Sequence, residues 1–437
     1  MLNKKNGDIE KLFEIENLNN YHLNLEKKFG ANDYHPLPVV LKKGEGVFLW
    51  DVNEKKYYDF LSAYSAVNQG HCHPKLVNLI KNQAETLTLT SRAFHNNKLG
   101  EYMAYATKLF GFDQLLPMNT GAEGVETSIK LSRKWGYLKK KIEHNKAKIV
   151  VCNNNFHGRT TTVISFSTDS GSKDFFGPHT PGFIHIPHND VDALENEFNN
   201  DKNIVAFLVE PIQGEAGVNV PDSDYLKKVR ELCTKFNVLM IADEIQTGLG
   251  RTGSLLASCG NCSCNSYCEQ QNSYVRPDIL ILAKALSGGT YPISAVLCDS
   301  AIMEVIQPGQ HGSTFGGNPF AASIAKKALE IIIEENLAQN ARKLGEIFRY
   351  SMSEYIKTSK IITKIRGKGL LNAIVINDSS DSETAWNICL RLKDNGLLAK
   401  PTHGNIIRFA PPLVITKDQL IDCINIIILT IKEFEPK

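Results

Sequence analysis

The chain has 437 residues, too many for one small core, so a large domain with a smaller companion is expected. Hydrophobic residues make up 42% and charged residues 22%, the balance of an ordinary soluble globular protein. A formal net charge of +2 with no long basic run leaves no footprint for nucleic acid, and no apolar stretch is long enough to span a bilayer.

The lead-in, MLNKKNGDIEKLFEIENLNN, has neither a signal-peptide apolar core nor the Arg-rich, acid-poor character of a mitochondrial presequence. Its first arginine is Arg92, and cytoplasm is the expected location. GVFLWDVNEKKYYDF then predicts two strands around a DVNEKK turn. From about 75 to 330 the β-rich runs AKIVVC (147–152), IVAFLVE (204–210), VLMIADE (238–244), DILILA (278–283) and SAVLC (294–298) alternate with helical segments such as DYLKKVRELCTKFN. That alternation predicts an α/β fold with a mostly parallel sheet covered on both faces. A helical stretch from Pro319 to Lys343 follows, then strand-like LLNAIVIN, amphipathic SETAWNICLRLKDNG and a closing helix around IDCINIIILTI. The expected division is an N-terminal segment at 1–70, a large domain at 71–325 with a cysteine-rich insertion at 255–274, and a small α+β domain at 326–437 that packs with the N-terminal segment.

Open α/β sheets place ligands just beyond strand ends, and three polar groups fall there. Lys284 follows ILILA, where an ammonium is costly to bury, so it either snorkels outward or serves as a Schiff-base lysine. Asp243 follows VLMIA and is either a helix cap or an acid that keeps a ring nitrogen protonated. Thr120, Gly121 and Ala122 open a helix, as a plain cap or as a phosphate site. Together a phosphate loop, a ring-nitrogen acid and a lysine are the parts that pyridoxal 5′-phosphate needs.

The chain also resembles the class III, fold-type I pyridoxal-phosphate-dependent aminotransferases, and among them the ornithine aminotransferase branch. The resemblance runs from NDYHPLP at 32–38 to IIRFAPPL at 406–413. Its markers are SAYSAVNQGHCHP, PMNTGAEGVET, VEPIQGEAGV, ADEIQTGLGRTG, KALSGG, HGSTFGGNP, RGKGLLNAI and AKPTHGNIIRFAPP. It implies transfer of the δ-amino group of L-ornithine to 2-oxoglutarate, giving L-glutamate 5-semialdehyde and L-glutamate. The alternatives are another ω-aminotransferase, using N-acetylornithine or 4-aminobutyrate, and a non-catalytic relative acting as a binding module.

By resemblance, Lys284 carries the cofactor and moves the proton, and Asp243 meets the pyridine nitrogen. Phe156 and Ile245 flank the ring, Gln246 reaches its phenolic oxygen, and Gly121 and Ala122 bind the phosphate. Ser313 and Thr314 add contacts from the other subunit, which implies a homodimer with interfacial sites. Tyr34 and Arg159 hold the α-amino acid end of ornithine, Tyr64 lines the entrance, and Glu215 neutralises Arg408 until 2-oxoglutarate binds. Guanidinium suits this work because it pairs with carboxylate bidentately. One departure is His157, where some enzymes of the ornithine branch carry tryptophan.

The ten cysteines do not form a disulfide framework by position. Cys72, Cys152, Cys233, Cys298, Cys389 and Cys423 are dispersed, whereas Cys259, Cys262, Cys264 and Cys268 form C-x2-C-x-C-x3-C. That spacing could wrap one zinc, but real structural sites pair two CxxC knuckles farther apart, so a polar, outward, redox-sensitive insertion without metal is expected.

Overall fold

The computed structural model describes residues 18–259 and 275–436. After the helix Leu18–Phe29, strands β1 (Leu41–Glu45), β2 (Phe48–Asp51) and β3 (Lys56–Asp59) pair antiparallel in that order. The expected DVNEKK turn joins β2 to β3. Asp51 closes it by accepting hydrogen bonds from the amides of Asn53 and Lys55, each at 2.9 Å.

The central sheet has seven strands: β4 (Gln114–Met118), β5 (Lys148–Cys152), β6 (Phe183–Ile186), β7 (Ile204–Val209), β8 (Leu239–Asp243), β9 (Ile279–Leu282) and β10 (Ser294–Cys298). Their spatial order is β4-β10-β9-β8-β7-β5-β6, parallel from β9 to β6, with β10 antiparallel to both neighbours. Every residue of β7, β8, β9 and β10 is buried, which is why these segments read as continuous apolar runs. Alternate residues serve opposite faces. Val151 and Leu208 pack with Val125 and Ile129 of the helix Gly121–Leu138, while Val150 and Phe207 join the cluster of Val229 from the helix Tyr225–Lys235.

The C-terminal part adds β11 (Ile362–Lys368), β12 (Leu371–Ile376), β13 (Leu397–Leu398), β14 (Lys400–Thr402) and β15 (Ile406–Phe409). Four of these form an antiparallel sheet in the order β11-β12-β15-β14. Strand β13 instead pairs parallel with β3, which stitches the C-terminal part to the N-terminal sheet. The closing helix Lys417–Lys432 starts at a Thr416–Gln419 capping box and buries Leu420, Cys423, Ile424, Ile427 and Ile431 along one stripe.

Three details differ from expectation. The stretch 319–343 is two helices, Pro319–Glu334 and Leu337–Ile356, because Asn336 sits at φ 53 in the left-handed region and breaks the ladder. The boundary expected at 325/326 falls inside the first of them, a helix packed on Pro74–Thr86 and Leu99–Phe110 of the preceding part. The insertion does not leave the surface at 255, since Leu255, Leu256, Ala257 and Cys259 are buried. Buried Glu244 holds this stretch by accepting from the amides of Ala257 (3.0 Å) and Ser258 (2.8 Å), and Val275 N donates to Ser258 O at 3.1 Å. Cys262, Cys264 and Cys268 lie outside the described residues. Among the described residues no cluster suits a metal ion, and no helix is long and apolar enough to cross a membrane.

Candidate active site

Three parallel strands each deliver an ionisable group at their C-terminal ends: Glu210 just after β7, Asp243 ending β8, and Lys284 two residues after β9. All three line one cavity of about 500 Å3. Lys284 opens a short 3-10 turn at φ 48, a left-handed conformation costly for a residue with a side chain. Burial lowers its pKa, with Glu215 and Asp243 opposing, so the amine loses its proton more readily than a surface lysine does. An outward-snorkelling lysine is ruled out by this placement.

Asp243 is buried and held from both sides. His157 Nδ1 lies 2.6 Å from its Oδ2, and the Ile245 amide donates to Oδ1 at 3.1 Å. Burial works against charging His157, but the hydrogen bond and charge of Asp243, with Glu210 behind them, raise its pKa above the ordinary value. Burial pushes the Glu210 carboxyl up to about 7, with His157 opposing and Asp243 reinforcing, while the Phe156 amide donates to it at 3.0 Å. Glu210 was not among the expected site residues, although it follows an apolar run just as Asp243 and Lys284 do.

The helix Gly121–Leu138 points its N-terminus into the same cavity. Its capping box occupies the Thr120 and Glu123 amides, and Gly124 N bonds Thr120 O. The Gly121 and Ala122 amides are thereby left for an anion. Space at position 121 is tight, since a Cβ there would stand 3.0 Å from Ile245 Cδ1 and push that side chain aside. Phe156, Ile245 and Gln246 complete the lining.

Beside Gln246 lies the carboxylate–guanidinium pair expected from the resemblance. Arg408, 3% exposed in β15, donates from Nη1 to Glu215 Oε1 at 2.8 Å, and Gln246 Nε2 donates to the same oxygen at 2.8 Å. Gly214 allows this approach, because a Cβ there would fall 1.7 Å from Gln246 Oε1. Burial alone would raise the Glu215 carboxyl, but Arg408, Lys284 and Gln246 outweigh it and hold it below the usual range.

Tyr64 stands next to this pair, with the Arg408 guanidinium 5.0 Å from its ring centroid. A left-handed turn puts it there. Ser62, Ala63, Tyr64 and Ser65 have successive φ values of 49, 46, 60 and 71, at a cost of about 1–2 kcal/mol per residue. Asp59 braces the turn by accepting from the Leu61 and Ser62 amides at 2.8 Å each, and His71 Nε2 meets its other oxygen at 2.7 Å. Tyr64 and Tyr34 line a second chamber of about 970 Å3.

Other expected residues lie elsewhere. Arg159 has a side chain 58% exposed, 3.4 Å from Asp169 Oδ2, and lines neither cavity, so the chain does not bring it together with Tyr34. Its guanidinium lies 5.4 Å from the Phe156 ring centroid, at the rim of the inner cavity. Ser313 accepts from Asn119 Nδ2 at 2.7 Å, and it and Thr314 stay outside both linings.

The comparisons agree with this geometry. The family model described as "Aminotransferase class-III" matches residues 29–431. The ornithine aminotransferase of Drosophila melanogaster, named as mitochondrial, is 60% identical over 406 residues, covering 93% of this chain and 90% of that protein. A solved structure of the acetylornithine aminotransferase from Elizabethkingia anophelis is 61% identical with a TM-score of 0.86, covering 95% of this chain and 99% of the other. A structure of the ornithine aminotransferase from Toxoplasma gondii, described as holding pyridoxal phosphate at partial occupancy in its active site, is 44% identical with a TM-score of 0.90, covering 97% of each chain. The residues fit that cofactor: free helix-end amides for its phosphate, a doubly held carboxylate for its ring nitrogen, and a lysine whose burial frees its amine. Its large domain, its strand-end lysine and acid, and a match over nearly its whole length place the chain in the class-III aminotransferase family.

Proposed function

We propose that the chain is a pyridoxal-phosphate-dependent ornithine δ-aminotransferase, converting L-ornithine and 2-oxoglutarate into L-glutamate 5-semialdehyde and L-glutamate. The observation that carries this reading is the Glu215–Arg408 pair at the cavity that holds Lys284. An aminotransferase accepts two substrates in turn at one site. A free Arg408 attracts an α-carboxylate next to the reacting centre, which is right for 2-oxoglutarate and wrong for the distal amine of ornithine. With Glu215 at 2.8 Å, that charge is neutralised, so the amino acid end of ornithine stays outside and the δ-amine enters. Release of Glu215 from Arg408 frees the guanidinium for the α-carboxylate of the 2-oxo acid.

When bound, pyridoxal phosphate supplies an electron sink for the carbanion formed at the substrate's reacting carbon. Asp243, fixed by His157 and the Ile245 amide, keeps the ring nitrogen protonated. The Lys284 amine, whose pKa burial draws below the ordinary lysine value, would remove and return the proton at the reacting carbon. Phe156, Ile245 and Gln246 orient the ring, while the Gly121 and Ala122 amides anchor its phosphate.

The 61% identity to an acetylornithine enzyme favours a second donor, N-acetylornithine. A steady-state comparison of ornithine, N-acetylornithine and 4-aminobutyrate decides between them. Ornithine is expected to lead in kcat/KM by about tenfold or more, the worth of one charged contact; a lead for N-acetylornithine refutes the proposed donor. Glu215→Ala is expected to shift reaction toward the α-amino group of ornithine, read by product analysis. An unchanged preference between the two amino groups removes the basis of the switch.

We also infer a homodimer in which Ser313 and Thr314 serve the neighbouring subunit's site. Sedimentation checks the assembly, and mixing Lys284→Ala and Thr314→Ala subunits checks the sharing. Cytoplasmic residence is a further proposal, tested by cell fractionation.

A further inference from the structure

The turn that carries Glu215 is gripped at both ends, and only one grip has a role so far. Gln213 and Asn219 close the turn, each amide donating to the other's carbonyl, at 3.2 and 3.0 Å. Inside it Gly217 stands at φ 96 and Val218 at φ 57, left-handed values that are costly for a β-branched side chain. Val218 is nevertheless fully buried, clustered with Ile212, with Leu371 and Ala373 of β12 and with Ile406 of β15. A strained conformation persists only where its surroundings over-determine it, so something has to hold this turn down.

The register of the C-terminal sheet shows what does. Arg366 on β11 lies directly opposite Ala373 on β12, and Ala373 lies directly opposite Arg408 on β15. Residues opposed in antiparallel pairs project to the same face, so both arginines reach from one face of the sheet with a small alanine between them. Arg408 takes the Glu215 end of the turn, 2.8 Å from Oε1. Arg366 takes the other end: its Nη1 donates to Gly217 O at 3.1 Å and to Asn219 Oδ1 at 2.7 Å. The Asn219 carboxamide carries this hold back along the turn, since its Nδ2 donates to Ala216 O at 3.3 Å, next to Glu215. The Thr402 hydroxyl of β14 adds a bond to Glu215 O at 2.7 Å. The approach is close: a Cβ on Gly217 would stand 2.5 Å from Ile406 Cδ1 and 3.4 Å from Arg366 Nη1.

We propose that Arg366 is a positioning residue for the Glu215–Arg408 pair, a determinant of donor choice that touches no substrate. For donor and acceptor to alternate, that pair has to open and re-form once per turnover. If the whole turn swung away, re-pairing would require rebuilding the left-handed Val218 and its apolar seat. With Arg366 bound to Gly217 and Asn219 throughout, only the Glu215 side chain moves, and its carboxylate returns to the same guanidinium. Arg408 cannot be this anchor, because its bond to Glu215 is the one that breaks. The inference rests on the proposed ornithine reading, in which Glu215 guards Arg408, and it gives β11 a share in selecting the amino group that reacts.

The test is the ratio of δ- to α-amino transfer from ornithine by the holoenzyme, read as glutamate 5-semialdehyde against 5-amino-2-oxopentanoate. Arg366→Met should lower that ratio by about three- to tenfold, the net worth of one hydrogen bond, because Glu215 is then less often in place. Arg366→Lys, which keeps a donor for the turn, should restore most of it. In single turnovers the rate with ornithine should fall by a similar factor, while that with 2-oxoglutarate changes less than about twofold. A merely structural arginine slows both alike and leaves the product ratio alone, and that result overturns the proposal. Glu215→Ala combined with Arg366→Met should give the ratio of Glu215→Ala alone, since no carboxylate remains to be placed; a further drop also overturns the proposal. If Arg366→Met does not fold, Asn219→Ala replaces it by deleting the acceptor at 2.7 Å. A shift in the same direction is then expected, and none overturns the proposal. Glu215→Ala alone tells failure of the ornithine reading apart: an unchanged ratio there removes the switch and this inference with it. A shift there without one in Arg366→Met removes only the role of Arg366.

Discussion

Lys284→Ala is expected to lower kcat by about 10^4-fold or more while leaving the fold intact. The lysine lies at the end of β9 in a left-handed conformation, lines the cavity that Asp243 and Glu210 also line, and has its pKa drawn down by burial. Loss of a positioned general base alone costs about 10^2–10^4-fold, and loss of its nucleophilic role adds to that. Among the described residues no hydrogen bond from its ammonium holds other elements together, and alanine removes a charge from a buried place, so thermal stability should hold or rise. Single-turnover spectroscopy with ornithine, beside a thermal melt, checks both halves. Retention of a tenth of the activity would remove Lys284 from the chemistry. Loss of folding would instead make the residue structural.

Much of this site was legible because strand burial and strand-end chemistry leave the same trace. Strands β7, β8 and β9 are buried on both faces, so each reads as an apolar run, and a charge straight after such a run marks the strand's C-terminal end. That rule located Asp243 and Lys284. Applied to VEPIQ it also locates Glu210, whose carboxyl the same burial pushes up to about 7. Direction was not legible: SAVLC looks like its neighbours because burial is indifferent to direction, yet β10 runs antiparallel. Strands β4 and β6 were missed because they are edge strands, each only partly buried, so neither reads as a continuous apolar run, and β4 contains Pro117, which reads as a breaker.

Side-chain direction was the larger gap. The sequence makes Arg159 a candidate carboxylate ligand, but its side chain is 58% exposed beside Asp169 and lines neither cavity. The left-handed turn at Ser62–Ser65 carries no glycine, so no local signal announces four successive positive φ values. It exists because Asp59 accepts two of its amides, a contact that depends on the pairing of β3 with β13. Resemblance placed Tyr64 at the entrance; the geometry supplies the reason it stays there.

Arg251→Met is expected to destabilise the protein by about 3 kcal/mol and to weaken binding of 2-oxoglutarate as well. Arg251 is fully buried and, among the described residues, bonds no carboxylate. Its guanidinium instead donates to Leu370 O at 3.0 Å, Pro411 O at 2.6 Å and Asn68 Oδ1 at 2.6 Å. Burial pulls its pKa down to about 9, with Asp59 opposing. Methionine fills similar space but leaves three buried acceptors unpaired, each worth about 1–3 kcal/mol. Part of that is recovered because a cation no longer has to be desolvated. The three acceptors come from the N-terminal segment, the β11–β12 turn and the chain just past β15, so the arginine pins all of them to the end of the large domain. Arg408 lies three residues before Pro411, and looser pinning should displace it from Glu215. A lower urea midpoint together with a raised KM for 2-oxoglutarate is therefore the expected result for the holoenzyme. A lower midpoint with unchanged KM would mean that the Glu215–Arg408 geometry is set by β15 alone.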